Sequence, residues 1–265
     1  MPDTYFDSVE ANVNGVKQVV PVRDPEASHI FPNAGSHNGI YRGNNLGSSV
    51  TEEQWNAIQS GTFEDLYIGD YWTISRVNWR IAAFDYFYNC GDTAFTKHHV
   101  VIVPDTNLYT HNMNDTNITT GAYVGSKMYT EGLEQAKTTI QNVFGSEHVL
   151  SHRIRLSNAV SNGIASAGAW FDSIVDLMCE NMVYGSGIFS PVSNGSSVPD
   201  NYRVEKSQLP SFAMNPSLIT NRSWYWLRDV ISSAYFAGVG GSGGADHGNA
   251  SYVNGVRPFS VIGVS

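Results

Sequence analysis

The stretch SWYWLRDVISSAYFAGVGGSGGADHGNASYVNGVRPFSVIGV, Ser223 to Val264, decides how this chain is read. It consists of two apolar blocks around a glycine-rich insert. Trp224, Trp226, Leu227, Val230 and Ile231 form the first block. The insert runs from Gly240 to Gly244 and on through Asp246, His247, Gly248 and Asn249. Val256 to Val264 then reads as the closing strand. Trp224 and Trp226 are two residues apart, so a strand places both on one face, as core. Tyr225 and Tyr235 fall between core-like residues and are expected to point outward. Tyrosine amid serine, glycine and asparagine is the composition of an antibody-like binding loop, in which rings supply rigid contact area and small polar residues adaptability. A merely flexible surface loop has the same composition, and on that ground alone the two readings are equal.

The rest of the chain limits what such a surface serves. A length of 265 residues allows one large domain, or a domain with a small appendage, and a sizeable core. Many glycines and aromatics point to β structure with long surface loops. The net charge of −9, with no Lys/Arg cluster, makes nucleic acid an unsuitable partner. No apolar run approaches the length of a membrane span, so no membrane insertion is expected. The opening MPDTYFDSVEANVNG has neither a basic stretch nor an apolar one, and the expectation is synthesis in a cytoplasm without a secretory signal.

The first 50 residues differ in texture from the remainder. Asn12 to Val22 reads as a hairpin around Asn14-Gly15, and Arg23 to Ser49 as irregular structure or a linker. At Thr51 a capping box with Gln54 opens a short helix that Gly61 closes. Alternating apolar residues from Phe63 to Ile81 predict two strands, and His98 to Pro104 a buried one. Asn107 to Thr120 reads as a polar loop. Gly125-Ser126 opens a helix carrying Met128, Leu133, Ala136, Ile140 and Phe144, with Gly145 at its end. Val149 to Leu156 and Ser173 to Tyr184 are strand-like, although the periodicity of the second also suits a helix. Ser190 to Tyr202 is a further polar loop.

Catalytic constellations are not found at specific spacing. His98 and His99 are adjacent on a strand and face opposite sides, which suits one exposed and one core histidine better than a metal site. Asp246-His247 lacks a third partner. The Asp/Asn-rich loops at 105–107, 112–117 and 200–201 do not follow calcium-loop spacing. Gly240 to Gly244 lacks the Lys-Ser/Thr of a phosphate loop. Cys90 and Cys179 form no Cys-x-x-Cys motif and read as buried apolar residues. Neither a cofactor nor a metal is called for.

One resemblance separates the two readings of the tail. Trp226-Leu-Arg-Asp229, Phe236-Ala237, Ala250-Ser251 and Gly255-Val-Arg-Pro-Phe259 with Ile262-Gly263 resemble the frame of the variable proteins of diversity-generating retroelements. Phage tropism determinants and many gut-phage tail proteins belong to that group. The likeness is specific over the last 45 or so residues. It extends more weakly to about Thr51, through Ile68-Gly-Asp70, Tyr123-Val-Gly-Ser126 and Leu177 to Gly185. The resemblance implies an α+β fold with a C-type-lectin-like ligand-binding domain over 51–265, and a small β-rich N-terminal attachment segment over 1–50. It also implies a variable segment at about 221–260, in which asparagine codons are diversified at adenines. Fourteen positions between the frame residues carry only residues reachable that way: Asn221, Ser223, Tyr225, Tyr235, Gly238, Gly240, Gly241, Ser242, Gly244, Asp246, His247, Gly248, Tyr252 and Asn254. They are the expected ligand-binding residues and are expected to share one exposed face. Trp226 and Phe259 would be core, and Arg228 or Arg257 would tie the loop base to carbonyls. Ser260 departs from the pattern, which often has an aromatic there.

The function so implied is that of a phage or prophage receptor-binding or display protein, not an enzyme. Its partners would be a host-surface protein or glycan, and other virion proteins through the N-terminal segment. It would be a homotrimer located on the virion. The alternatives are a structural decoration protein without a ligand, and an oxidase similar to formylglycine-generating enzymes.

Overall fold

The computed structural model of the chain describes residues 8–13, 16–21, 33–190 and 207–265. The Asn14-Gly15 turn, most of the Ser190–Tyr202 loop and the Asp200-Asn201 pair lie outside the described residues. The architecture is α+β and mostly β. Strands β1 (Ser8–Val13) and β2 (Val16–Pro21) pair antiparallel as a separate two-stranded hairpin, so the N-terminal hairpin expected from sequence forms, beginning earlier than Asn12.

The body begins before Thr51. The described part of the Arg23–Ser49 stretch, read as irregular structure or a linker, is mostly irregular and is bound to the body by buried polar contacts. A short helix α1 (Ala34–His37) is followed by Asn38, whose side chain bonds both the N–H and the carbonyl of Phe84. The His37 ring nitrogen reaches the Leu66 carbonyl at 2.6 Å. Arg42 pairs with the fully buried Asp70 at 2.7 Å and with Asp65 at 2.5 Å. A carboxylate without water needs such partners, and the irregular segment supplies them. The boundary expected at residue 50 is therefore corrected: the segment was misread because its hydrogen bonds reach side chains and carbonyls about 30 residues away, which no local periodicity reports.

Helix α2 (Glu52–Ser60) has the expected capping box: Thr51 accepts from the Gln54 N–H, and the Gln54 side chain accepts from the Thr51 N–H. Gly61 ends it in the left-handed conformation. Two five-stranded sheets follow. The first has the order β3 (Tyr71–Ile74), β4 (Val77–Phe84), β5 (His99–Pro104), β14 (Pro258–Gly263), β9 (Val175–Leu177), all antiparallel. The second has the order β12 (Ala245–Asn249), β11 (Tyr235–Val239), β10 (Tyr225–Val230), β13 (Val253–Val256), β6 (Tyr109–Asn112), with β10 and β13 parallel. Strand β6 lies inside the stretch expected to be loop. Its residues Thr110, His111 and Asn112 are polar because it is an edge strand, and an edge tolerates them.

The expected helix over Met128 to Phe144 is a π-helical turn, Met128–Gly132, running into α3 (Glu134–Phe144), with Gly145 at its end. Phe144 meets Trp79 edge-on at 5.7 Å and Trp72 at 6.4 Å, which seats α3 against the first sheet. Strands β7 (His152–Ser161) and β8 (Ile164–Ser173) form a long ribbon. Its turn residues Asn162 and Gly163 have φ of 52° and 78°, the pair of positive values a two-residue hairpin turn demands. The stretch Ser173 to Tyr184 divides into β9 and a helix α4 (Glu180–Tyr184), which explains why both periods fitted. A last short helix, α5 (Pro210–Met214), precedes the tail.

The chain crosses from the second sheet to the first at Arg257, the one residue between β13 and β14. Its guanidinium donates to the carbonyls of Pro104 (2.8 Å), Ile219 (2.9 Å) and Leu218 (3.0 Å). Arg228 is also buried and donates to the Leu177 carbonyl. Both arginines thus hold carbonyls, and Trp226 and Phe259 are fully buried, as expected of frame residues. Ser260, the departure from the pattern, is buried and donates to the Ile174 carbonyl.

Candidate ligand-binding surface

The glycine-rich insert is not a loose loop. It is the β11–β12 hairpin, closed by bonds from the Gly240 N–H to the Gly244 carbonyl and from the Gly243 N–H to the Gly240 carbonyl, both 2.8 Å. Thr220 holds the turn from below through the Gly241 carbonyl at 2.8 Å, and the Tyr184 hydroxyl holds the Gly243 carbonyl at 3.2 Å. Gly243 has a φ of 90°, which a side chain would strain.

The fourteen expected residues divide by exposure. Ser223, Ser242, Gly244, His247 and Tyr252 are exposed. Asn221, Tyr235, Gly241, Asp246 and Asn254 are half-buried. Tyr225, Gly238, Gly240 and Gly248 are buried. Nor do they share one face. Hairpin pairing sets Phe236 opposite Gly248, Ala237 opposite His247 and Gly238 opposite Asp246. Paired residues project to the same side, and neighbours along a strand to opposite sides. Gly238, Gly240, Asp246 and Gly248 therefore occupy one face, and Tyr235 and His247 the other, with their rings 5.2 Å apart. The expectation of a single exposed face is corrected by this register.

Tyr225 is a second correction. It is fully buried instead of outward-facing. Its hydroxyl donates to the Ile219 carbonyl at 2.8 Å, and the Arg257 guanidinium lies 5.1 Å from its ring centre. Burial raises its pKa, and Arg257 pulls the other way. Every residue of β10 is buried, so the alternation that identifies a wet face does not operate there. Trp224, read as core, is only half-buried. Its carbonyl accepts from Asn107 Nδ2 (2.9 Å) and the Gly255 N–H (3.1 Å), and Asn107 also accepts from Asn221 Nδ2 (2.6 Å). Sequence reading missed Asn107 because its partners are more than 110 residues away.

Room beside each glycine sorts the positions further. A Cβ on Gly240 or Gly241 would meet nothing closer than 3.5 Å, and one on Gly244 only Ser242 Oγ at 4.0 Å. These positions accept side chains. A Cβ on Gly248 would stand 2.8 Å from the Trp226 ring, and one on Gly238 2.9 Å from the Trp224 ring. The frame glycine Gly255 has least room of all, with Asn107 Nδ2 at 1.8 Å from the Cβ site. Gly248→Ala is expected to cost about 1–3 kcal/mol, since it presses on a fixed ring in a filled interior. Gly244→Asn and Gly241→Ser are expected to stay within about 1 kcal/mol of the parent. Urea unfolding of the three variants checks this, and equal losses would refute the division.

His247 is flanked by Tyr235 and by Phe189, whose ring is 5.3 Å away. Phe189 is held by the buried Glu180 carboxylate, which accepts the N–H groups of Ile188, Phe189 and Ser190 at 2.9–3.2 Å. Sequence reading gave Glu180 no role.

Other chemistry-bearing residues have structural duties. His98 pairs with Asp85 at 2.7 Å and is half-buried, whereas His99 is buried, as their strand positions required. Asp105 is occupied by Arg80 at 2.6 Å, and Asp115 by Lys127 at 2.6 Å. Among the described residues, no three or more His, Cys, Asp or Glu are grouped to hold a metal ion. Cys90 and Cys179 are free thiols, Cys90 only half-buried. Burial pushes the Cys179 thiol up to about 11, which leaves little nucleophilic thiolate at neutral pH. No helix among the described residues is long and apolar enough to cross a membrane.

Comparison with protein-family models, with curated proteins and with solved structures finds no match to this chain.

Proposed function

We propose that the chain is a receptor-binding or display protein of a phage or prophage, with a C-type-lectin-like domain whose β11–β12 end carries the diversified ligand-binding surface. The observation that carries this reading is steric. The glycines at Gly240, Gly241 and Gly244 have room for side chains, whereas Gly243, outside the fourteen positions, has a strained backbone and the frame glycine Gly255 a filled Cβ site. A surface meant to vary needs room at the varying positions and a scaffold indifferent to them. Arg257, Trp226 and Asn107 supply that scaffold from beneath. Tyr225, Gly238 and Gly248 leave the variable set and join the frame, because they are enclosed. The working set is then Asn221, Ser223, Tyr235, Gly240, Gly241, Ser242, Gly244, Asp246, His247, Tyr252 and Asn254. In the same reading the N-terminal hairpin attaches the chain to other virion proteins.

The test is a displayed library. Ser223, Gly241, Ser242, Gly244, His247 and Tyr252 are randomised to residues reachable from an asparagine codon, and the library is panned on bacterial cells. Most members are expected to unfold at the parental temperature, and some to be enriched on the cells over a library fixed at these positions. Folded members with no enrichment on any host surface would overturn the reading in favour of a decoration protein.

A further inference from the structure

The diversified surface includes one place where the chemistry is already specified by this copy. The Trp224 indole spans Gly238 of β11 and Gly240 just beyond its end. Its six-membered ring lies over Gly238, with Cζ3 at 2.9 Å and Cε3 at 3.3 Å from that glycine's Cβ site. Its Nε1 lies 3.7 Å from the Cβ site of Gly240. Asp246 Oδ2 stands at the same 3.7 Å from the same point, approaching from the neighbouring strand. No hydrogen bond joins the two, and among the described residues neither has another partner. Asp246 Oδ1 is occupied, by the His247 N–H at 2.8 Å. A donor that only donates and a carboxylate oxygen that only accepts thus both lie 3.7 Å from one common point at the edge of a half-buried aromatic ring.

We propose that this is a subsite for one neutral pyranose ring of a glycan. The proposal rests on the display reading of the same surface and names the class of ligand. A sugar hydroxyl both donates and accepts, so a single hydroxyl accepts from Trp224 Nε1–H and donates to Asp246 Oδ2. The apolar C–H face of the same ring lies on the exposed part of the indole, which a flat aromatic surface favours. A lysine or arginine side chain satisfies Asp246 and offers nothing to Nε1. A backbone amide serves both atoms and has no flat apolar face. The Asp246 charge, on a chain of net charge −9, disfavours carboxylated sugars.

The subsite is held before any ligand arrives. The Trp224 backbone is fixed by Asn107 and Gly255, and the turn by Thr220 and Tyr184. Glycine-rich segments ordinarily cost conformational entropy on binding, and here that cost is already met in the folded chain.

The full chain, labelled with 15N, is titrated with millimolar methyl glycosides of glucose, galactose and mannose while the indole N–H signals are followed. One indole signal is expected to move, and it is the signal missing from Trp224→Phe. Asp246→Ala is expected to weaken the binding by about tenfold or more, the loss of one charge-assisted hydrogen bond. The response is expected to survive a chelator of divalent cations. The other indole signals report that each variant is folded. The inference is overturned if no glycoside moves the Trp224 signal, if the moving signal persists in Trp224→Phe, or if N-acetyltyrosinamide moves it and the sugars do not. Should the panned library select host-surface proteins while no sugar acts, the glycan inference alone fails. Should sugars act while no library member is enriched, the diversified-display reading alone fails.

Discussion

Replacement of Arg257 by alanine is expected to lower folding stability by about 4 kcal/mol, since an orphaned buried carbonyl costs about 1–3 kcal/mol and those of Pro104 and Leu218 lose their guanidinium donor, while that of Ile219 keeps the Tyr225 hydroxyl. Arg257 stands where the chain passes directly from the second sheet, at the end of β13, into the first sheet at β14. Its guanidinium donates to Pro104 at the end of β5 and to Leu218 and Ile219 before β10. It also lies 3.3 Å from the Tyr225 hydroxyl and over the Phe212 ring. Alanine removes every one of these contacts and leaves a cavity under Tyr225. Arg257→Lys keeps the charge without the planar fork, and is expected to recover only part of the loss. Urea unfolding midpoints of the two variants decide the matter. A loss under about 1 kcal/mol for the alanine variant would mean that the junction is held by other contacts.

Acidification is expected to destabilise the fold strongly between about pH 6.5 and pH 4. His99 and His152 are the cause. Burial pushes His99 down to about 4 and His152 down to about 3, and in the second case the neighbouring His99 adds to the effect. Geometry gives His99 a reason to stay neutral: its Nδ1 faces the Lys97 carbonyl, and its Nε2 accepts the Phe87 N–H. A second ring proton would point at that N–H. His152 is packed among Phe87, Phe95 and Phe259. Above pH 6.5 both histidines are neutral folded or unfolded, and the full stability is present. Below it the unfolded chain takes up protons that the folded chain refuses. Each site then loses up to about 1.4 kcal/mol per pH unit until its folded pKa is reached, several kcal/mol in total. Asp176 acts in the opposite sense: burial raises its pKa, so its contribution grows as the pH falls and offsets part of the loss. His152→Phe removes one titrating site. Its thermal midpoint is expected to fall less steeply with pH than the parent's, whatever its stability at neutral pH. Parallel pH profiles would remove His152 from the account.

Much of the scaffold was legible because its causes are local. The Thr51–Gln54 capping box, the Gly61 and Gly145 helix ends and the continuous apolar run of β5 each follow from neighbours within a few residues. Trp226, Phe259 and the two buried arginines were legible through resemblance instead. What was misread depends on distant partners or on pairing. Tyr225 looked outward because alternation was assumed along a strand that is covered on both sides. The polar β6 looked like a loop because its only strand neighbour, β13, arrives more than 130 residues later. Only the first half of β7 was read, as the strand-like Val149 to Leu156, and the rest of the β7–β8 ribbon was missed although Asn162-Gly163 is a strong two-residue turn signal, because small residues such as Ala165, Ala167, Gly168 and Ala169 blur the alternation. The fourteen positions were identified by residue type alone. Type does not distinguish a glycine with room above it from one beneath a tryptophan.

The position of β14 has a bearing on how the proposed variation would be policed. It is the last of the described strands, yet it lies between β5 and β9 inside the core sheet, downstream of every position proposed to vary. A single-nucleotide insertion or deletion between the codons for Asn221 and Asn254 would replace Arg257 and all of β14 with unrelated residues. Such a chain lacks the middle of its own core and does not fold. Under the proposed display function, faulty copies are expected to be discarded by folding itself, leaving those that keep the reading frame.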